Sequence, residues 1–421
     1  MATINPLLTS GEIRDTYSLY LKSLLKTSEG VIASALNKAI EDSVNSDGGI
    51  VKGPFLEATP PYTAGKSIRN LVEEDVLSAE FLKLGPTNIM LDRPLYSHQE
   101  ASIRKLAAGR NVIVATGTGS GKTESFLFPI LNELMREKER GELGSGVRAL
   151  LLYPMNALAN DQVKRIREYL SNYPSITFGR YTGETRQTEK EARKEYFLAE
   201  GHNPYPNEII SRDAMQETPP NILLTNYAML EYLLLRPADN SLFDGPSKDT
   251  WKFIAADEAH TYDGAHGIEV ATLLRKLRER VDKDHQIQTI GTTATIGGTD
   301  LEVQTFAENL FDNKFEIDGK SAEDSDLVRP SRKPIADGTW GPLDSLTWSG
   351  INSGEKLIEA GADTGKELWL AFQEEASVST LRKLLFKGPA DISSAAEKVF
   401  GNSSEEAQQA ITNIVEDRKS T

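Results

Sequence analysis

The chain has 421 residues, more than one small module needs, and that length points to two or three domains. Hydrophobic residues make up 39% and charged residues 26%, a balance that can bury a full core without covalent staples. Cysteine is absent, which excludes disulfides, thiolate metal sites and a cysteine nucleophile. The net charge of −15 disfavours a small protein that coats nucleic acid, although a local basic groove can sit on an acidic body. No apolar run approaches the ~20 residues that span a bilayer, so no membrane partner is expected. The start, Met-Ala-Thr-Ile-Asn-Pro, lacks a basic stretch followed by an apolar one, and a cytoplasmic location is expected.

Residues 1–90 predict a helical N-terminal region. Ile13, Tyr17, Tyr20, Leu21 and Leu24 fall at helical spacing. Residues 46–54 and the pair Pro60-Pro61 break the pattern, and 67–84 predict one or two short helices. From residue 95 the pattern is regular. It predicts helix 97–108, strand 111–115, a glycine-rich turn and a helix through Met135. Strand 148–153, helix 156–171, strand 176–181 and a charged helix 186–199 follow, then a Pro/Asn-rich insertion over 201–220. Strand 222–225, helix 226–235, strand 252–256, helix 264–281 and strand 287–292 complete the series. Strands alternating with helices imply right-handed crossovers and a parallel sheet, and the strand runs are apolar on both faces as buried parallel strands are. The expected fold class is therefore α/β, with the parallel-sheet domain over 91–317. Residues 318–364 predict a linker or insertion. Residues 365–421 predict a helical or winged-helix-like segment, for which a structural appendage is the plainer role.

Thr116-Gly-Thr-Gly-Ser-Gly-Lys-Thr123 lies between a strand and a helix, the setting a phosphate-binding loop requires. Glycines let backbone N–H groups wrap phosphate oxygens, and the helix N-terminus adds positive potential. The loop candidates are Thr116, Gly117, Thr118, Gly119, Ser120, Gly121, Lys122 and Thr123. Lys122 is expected to reach the β- and γ-phosphates of ATP, and the Thr123 hydroxyl to hold Mg²⁺. Thr116 stands where the strict pattern has glycine, a minor departure because Gly117, Gly119 and Gly121 remain. Further on, an apolar strand ends in Asp257-Glu-Ala-His260. A carboxylate at the carboxyl end of a strand lies where open α/β sheets bind ligands. Asp257 is expected to hold Mg²⁺, and Glu258 to orient and deprotonate the attacking water. A lone Asp-Glu pair is commonly a solvated helix start; its position after a phosphate loop gives it weight here.

With these residues in place, the chain resembles the superfamily 2 helicases of DEAH type. That implies a RecA-like P-loop NTPase lobe. Leu95-Tyr-Ser-His-Gln99 resembles the family's Q motif, in which Gln99 reads the adenine edge. Tyr153 to Gln162, Tyr181 to Thr185 and Leu224 to Leu230 resemble the strand-contacting motifs. They imply a nucleic-acid face of Pro154, Asn156, Thr182, Gly183, Thr225 and Asn226, suited to backbone contact rather than base reading. Thr293-Ala-Thr295 resembles the motif whose hydroxyls link nucleotide state to the strand groove, and His260 takes a coupling role. The wording of the phosphate loop and of Asp257 to Ala271 is similar to large bacterial helicases of the Lhr and MrfA kind and to the helicase of DISARM phage-defence systems.

The departures carry weight. No second-lobe motif with its γ-phosphate arginines follows Thr293-Ala-Thr295, and the zinc domain of some relatives needs cysteines that this chain lacks. One motor lobe plus accessory segments is expected, the front of a longer or split protein. The implied partners are single-stranded or tailed DNA and a second RecA-like lobe. The expected activity is ATP hydrolysis, weak until that lobe is supplied. Arg275, Lys276, Arg278 and Arg280 are read as a solvated basic face. A nucleotide-switched protein-interaction module without unwinding activity stays open as the alternative. A degenerate remnant has little support, since Lys122, Thr123, Asp257 and Glu258 are all present.

Overall fold

The computed structural model describes residues 6–25, 27, 29–45, 50–58, 60–84, 91–117, 119–282, 286–294, 298–349 and 372–416. The chain divides into two compact units, residues 62–332 and residues 1–61 together with 333–421.

The second of these units begins with helices α1 (Pro6–Leu24) and α2 (Gly30–Asn45) and the short strand β1 (Phe55–Leu56). The helix that the spacing of Ile13, Tyr17, Tyr20 and Leu24 predicts is present, but those four side chains are exposed.

The larger unit opens with β2 (Ala64–Ser67), α3 (Ile68–Glu73), β3 (Pro94–Tyr96) and α4 (Ser97–Ala107). The alternating series then runs β4 (Val112–Ala115), α5 (Lys122–Arg140), β5 (Ala149–Tyr153), α6 (Asn156–Leu170), β6 (Phe178–Arg180) and α7 (Glu189–Glu200). It continues with β7 (Glu208–Ile209), α8 (Arg212–Glu217), β8 (Ile222–Asn226), α9 (Tyr227–Leu235), β9 (Phe253–Ala256), α10 (Gly264–Val281), β10 (Gln288–Thr293), α11 (Asp300–Phe311) and β11 (Leu327–Val328).

Eight strands form one parallel sheet in the order β11-β4-β10-β9-β5-β8-β6-β7. Successive side chains of a strand point to opposite faces, and each face here has its own core. On one, Val112, Val114, Leu151 and Ile290 pack against Phe126, Ile130 and Leu134 of α5 and Val163 and Ile166 of α6. On the other, Ile113, Leu150, Leu152 and Ile254 pack against Leu230 and Leu233 of α9, Leu274 and Leu277 of α10 and Phe311 of α11. Each such side chain contributes on the order of 1.5–3 kcal/mol when fully buried, so the uninterrupted apolar strands are what hold the sheet between two helical layers. This is the α/β arrangement with a parallel sheet that the alternation predicts. Register brings the strand ends level: Thr293 lies beside Ala115, Leu152 beside Ala256 and Tyr153 beside Asn226. The loops that leave these ends therefore share one edge.

Several features differ from the sequence reading. The Pro/Asn-rich insertion over 201–220 contains β7 and α8, which are not among the predicted elements. The span read as a linker, 318–364, contributes β11, which pairs with Ile113 and Val114 at the sheet edge. Two-residue strands carry no periodic signal, so neither could be read. The unit boundaries also fall elsewhere than at 90 and 317. Residues 62–84 join the sheet unit because Ile68, Leu71, Leu77, Phe81 and Leu84 enter the same core as α5. Arg278 is not on a solvated face: it is buried, paired with Asp282 at 2.6 Å, and donates to the carbonyl of Phe311 at 3.1 Å.

The chain then returns to the smaller unit with α12 (Ser345–Ser349), α13 (Ala376–Lys387), β12 (Ala390–Asp391), α14 (Ile392–Phe400) and α15 (Glu405–Glu416). Its core holds Leu56, Trp348, Leu381, Ile392, Ala396, Ile411 and Ile414. Helix, strand, helix, turn, helix is the order with which a winged helix begins. Here β12 pairs antiparallel with β1. Helix α15 turns Ile411 and Ile414 into the core and starts on Glu405 and Glu406. An acidic first turn is poorly suited to meeting phosphates.

Candidate functional site

The loop after β4 is built from both sides. Thr116 N donates to Thr293 O at 3.0 Å, carrying the sheet's pairing past the strand. The Thr116 and Ser120 hydroxyls are buried against each other at 2.6 Å, so the residue in place of the first glycine closes the loop on itself. Gly119 and Gly121 adopt left-handed φ values of 73° and 72°, which residues with a Cβ rarely enter. Any Cβ on Gly121 would also lie 2.3 Å from Gln99 Nε2. From α4, His98 Nε2 lies 2.9 Å from Ser120 O and Gln99 Nε2 donates to Gly121 O at 3.0 Å. Gln99 Oε1 accepts from Tyr96 N at 2.8 Å. Each end of the Gln99 amide therefore makes one backbone hydrogen bond. Thr118 lies outside the described residues.

Lys122 and Thr123 open α5. Lys122 Nζ donates to Glu258 Oε1 at 2.9 Å, between two largely buried side chains. Asp257 follows β9 and its backbone N donates to Leu152 O at 3.0 Å. Its Oδ1 accepts from the Thr292 hydroxyl and, at 3.0 Å, from Glu258 N. Burial pushes the Asp257 carboxyl above the usual carboxylate range, while the Thr292 hydrogen bond and the Lys122 charge pull it back. Glu258 holds a left-handed backbone at φ 50°, a conformation that costs a non-glycine residue energy and gathers at functional sites. Its Oε2 is buried and accepts no hydrogen bond, with His260 Nδ1 3.4 Å away. The same His260 nitrogen lies 3.1 Å from Thr293 Oγ1. Lys122, Glu258, His260 and Thr293 thus form one chain of contacts from the loop to the end of β10. Thr295 lies outside the described residues.

The structure adds residues that the motifs do not contain. Thr292 holds Asp257, and Tyr62 brings its hydroxyl to 3.5 Å from where a Gly117 Cβ would sit. The rings of Tyr62, Tyr96 and His98 cluster with centroids 5.2–5.6 Å apart. The hydroxyls of Tyr153 and Tyr262 are buried without partners, and burial and then the Asp257 charge push both phenols up. Thr292 adjoins the motif at Thr293 and was within reach of sequence reasoning. Tyr62 stands far upstream in a segment with no local signal.

The other end of the same sheet edge carries the predicted strand contacts. Pro154 and Asn156 follow β5, Thr182 and Gly183 follow β6, and Thr225 and Asn226 end β8. Asn226 Nδ2 donates to Asn156 Oδ1 at 2.6 Å, Asn156 Nδ2 donates to Glu184 Oε1 at 3.2 Å, and Asn226 Oδ1 caps α9 by accepting from Met229 N. Thr182 and Thr225 are buried; the Thr225 hydroxyl donates inward to Tyr181 O at 2.7 Å. These two threonines shape the face rather than offer hydroxyls to solvent. Arg212, missed in the sequence, fixes it by donating to Thr182 O and Gly183 O at 3.1 and 3.3 Å. Arg180 stands beside it, 2.9 Å from Glu184.

Among the described residues no helix is long and apolar enough to cross a membrane, and no group of three or more His, Cys, Asp or Glu could hold a metal ion. The loop, the Thr123 hydroxyl and the buried Asp257 carboxylate fit a Mg²⁺ that takes its other ligands from a nucleotide and water, as that ion prefers.

Residues 96–303 match the DEAD/DEAH box helicase family. The chain is 31% identical over 350 residues to the Druantia protein DruE of Escherichia coli, covering 62% of this chain and 19% of that protein. It is 28% identical over 282 residues to the ATP-dependent helicase hrq1 of Schizosaccharomyces pombe, covering 65% and 22%. With the ATP-dependent helicase Lhr-Core of Methanothermobacter thermautotrophicus the identity is 30% over 199 residues, covering 47% and 21%. The chain thus spans 19–22% of the length of these relatives. Among solved structures, the DUF1998 helicase MrfA bound to DNA and AMPPNP is similar at a TM-score of 0.48 and 20% identity, covering 79% of this chain and 39% of that one.

Proposed function

Residues 96–303 are a DEAD/DEAH box helicase domain, and from that premise we propose that this chain is the ATP-hydrolysing first lobe of a nucleic-acid helicase or translocase, with DNA as its strand. The observation that carries the proposal is the Lys122–Glu258 pair at 2.9 Å, which sets the loop lysine against the acidic box at the end of β9, two strands across the sheet from β4.

Loop N–H groups and Lys122 bind the phosphates of ATP. When Lys122 turns to phosphate it releases Glu258, whose free buried Oε2 is then the acceptor that orients the attacking water and takes its proton. Thr292 keeps the Asp257 carboxylate in one rotamer. Mg²⁺, held by Thr123 and Asp257, supplies charge neutralisation on the phosphates when bound. His260 and Thr293 report on the occupant of the loop, because both respond to where Glu258 points. At the far end of the edge, Pro154, Asn156, Gly183 and Asn226 contact the strand backbone. Their small size and backbone groups suit phosphate contact rather than base reading.

An arginine supplied to the γ-phosphate is worth on the order of 10³–10⁵ in rate, and the expected source is a second lobe. Turnover by this chain alone is therefore slow. The DNA assignment draws on the helicase relatives, and a phage-defence setting on the resemblance to defence-system helicases. Strand binding is tested by titrating labelled single-stranded DNA at two salt concentrations. Affinity should fall steeply with salt, since phosphate contacts release counterions. Affinity for no nucleic acid, with ATP binding intact, would favour the nucleotide-switched interaction module instead.

A further inference from the structure

Glu124 stands in the first turn of α5, directly after Lys122 and Thr123. Its two carboxylate oxygens have different surroundings. Oε1 accepts a hydrogen bond from the Tyr169 hydroxyl at 2.6 Å and lies 3.5 Å from Arg165 Nη1, both on α6. Oε2 is buried and has no hydrogen-bond partner. It faces the loop: a Cβ on Gly121 would sit 3.0 Å from Glu124 Oε2, beside Gln99 Nε2.

A buried carboxylate oxygen can only accept, and leaving it without a donor is costly. The Gln99 amide beside it makes one hydrogen bond at each end, from Tyr96 N and to Gly121 O, and Glu124 Oε2 receives none from it. Of the two polar side chains on this flank of the loop, Gln99 has each end bonded to backbone, whereas Glu124 keeps a buried oxygen with no partner at all. Phosphates are acceptors and cannot supply the donor. The nucleoside can, through the amino group of its base or a hydroxyl of its ribose.

We infer that Glu124 is a specificity-determining residue of the nucleotide site: Oε2 accepts a hydrogen bond from the nucleoside, while Tyr169 and Arg165 hold the carboxylate in place. This rests on the reading that residues 116–123 bind ATP. A site built to hydrogen-bond a substrate group rejects the analogue that lacks it far more strongly than an apolar pocket rejects a missing methylene.

The test measures equilibrium binding of the full chain, with Mg²⁺, to ATP, inosine triphosphate, 2′-deoxy-ATP and 3′-deoxy-ATP. Wild type should prefer ATP by about tenfold or more over at least one analogue. The inosine arm identifies the base amine as donor, and the deoxy arms identify the ribose. Glu124→Met should bring that ratio to near one. Tyr169→Phe, which removes the clamp but keeps Oε2, should preserve it. The double variant Glu124→Met/Tyr169→Phe removes both partners together, so that neither is left buried and unpaired, and should match the single Glu124 variant. Unchanged ratios in the Glu124 variants, or equal weakening of all four nucleotides, would overturn the inference and leave Glu124 as a clamp on α6. A wild type that binds ATP without preference overturns it as well. A wild type that binds none of the four overturns the loop reading with it, and Lys122→Ala supplies the reference for that outcome.

Discussion

Lys122 and Glu258 neutralise each other across the end of the sheet, so each is held ready by the other. Removing them separates binding from chemistry. Lys122→Ala should lower ATP affinity at least tenfold in a fluorescence titration. Glu258→Gln should leave that affinity within about threefold and reduce turnover by 10²–10⁴, the usual worth of a general base. Thr292 acts through Asp257. Thr292→Val removes one hydrogen-bond donor from a buried carboxylate, a loss of about 1–3 kcal/mol. Its expected sign is a higher Mg²⁺ requirement at unchanged ATP affinity in metal-free buffer. The loop and the acidic box were legible because each is a contiguous run whose residue types announce their chemistry. Tyr169 was not, because it reaches Glu124 from 45 residues away; Thr292 could be picked out as the neighbour of Thr293, but its bond to Asp257, 35 residues away, is set by the fold. Thr225 and Thr182 show the reverse limit: their place at strand ends was readable, but the inward turn of their side chains was not.

The elements are tied by a few buried polar groups as well as by the apolar layers. Arg148, at the start of β5, pairs with Glu137 of α5 at 3.0 Å, both almost fully buried, and donates to the carbonyls of Gly144, Ser145 and Gly146. Among the described residues, Arg148→Met leaves Glu137 with Lys252 as its one remaining ion-pair partner. It should destabilise the unit by about 3 kcal/mol in denaturant unfolding, the scale of breaking a buried pair. Glu80 offers a pH readout. Its hydrogen bond from Lys83, then those from Tyr173 and Lys138, lower its pKa from 4.5 to about 2. A carboxylate with a depressed folded pKa contributes stability above its unfolded value, and that contribution is lost as pH falls through the folded one. The melting-temperature gap between wild type and Glu80→Gln should therefore be full near neutrality and close between pH 4.5 and 2. At this scale the long strands and helices were readable from apolar periodicity. The two-residue strands β7 and β11, and the order of strands in the sheet, are set by tertiary pairing and leave no local pattern.

The whole chain is two units built from three stretches of sequence, since the N-terminal helices and the C-terminal segment cluster together. The sheet unit carries both cores on its two faces and every loop of the proposed nucleotide site. Residues 62–332 expressed alone should therefore fold cooperatively and bind ATP within about threefold of the full chain, as a unit with its own core can. Contact between residues distant in sequence was beyond what linear patterning carries, which is why a division at residues 90 and 317 differs from the one observed.

On the proposed reading, the loop and the acidic box form a nucleotide site that awaits an arginine from elsewhere. Steady-state ATP hydrolysis by the purified full chain, with and without single-stranded DNA and beside Lys122→Ala and Glu258→Gln, tests it most directly. ATP should bind, Lys122→Ala should weaken that binding at least tenfold, and turnover should stay slow when DNA is added. Fast, DNA-stimulated hydrolysis abolished by both substitutions would contradict it.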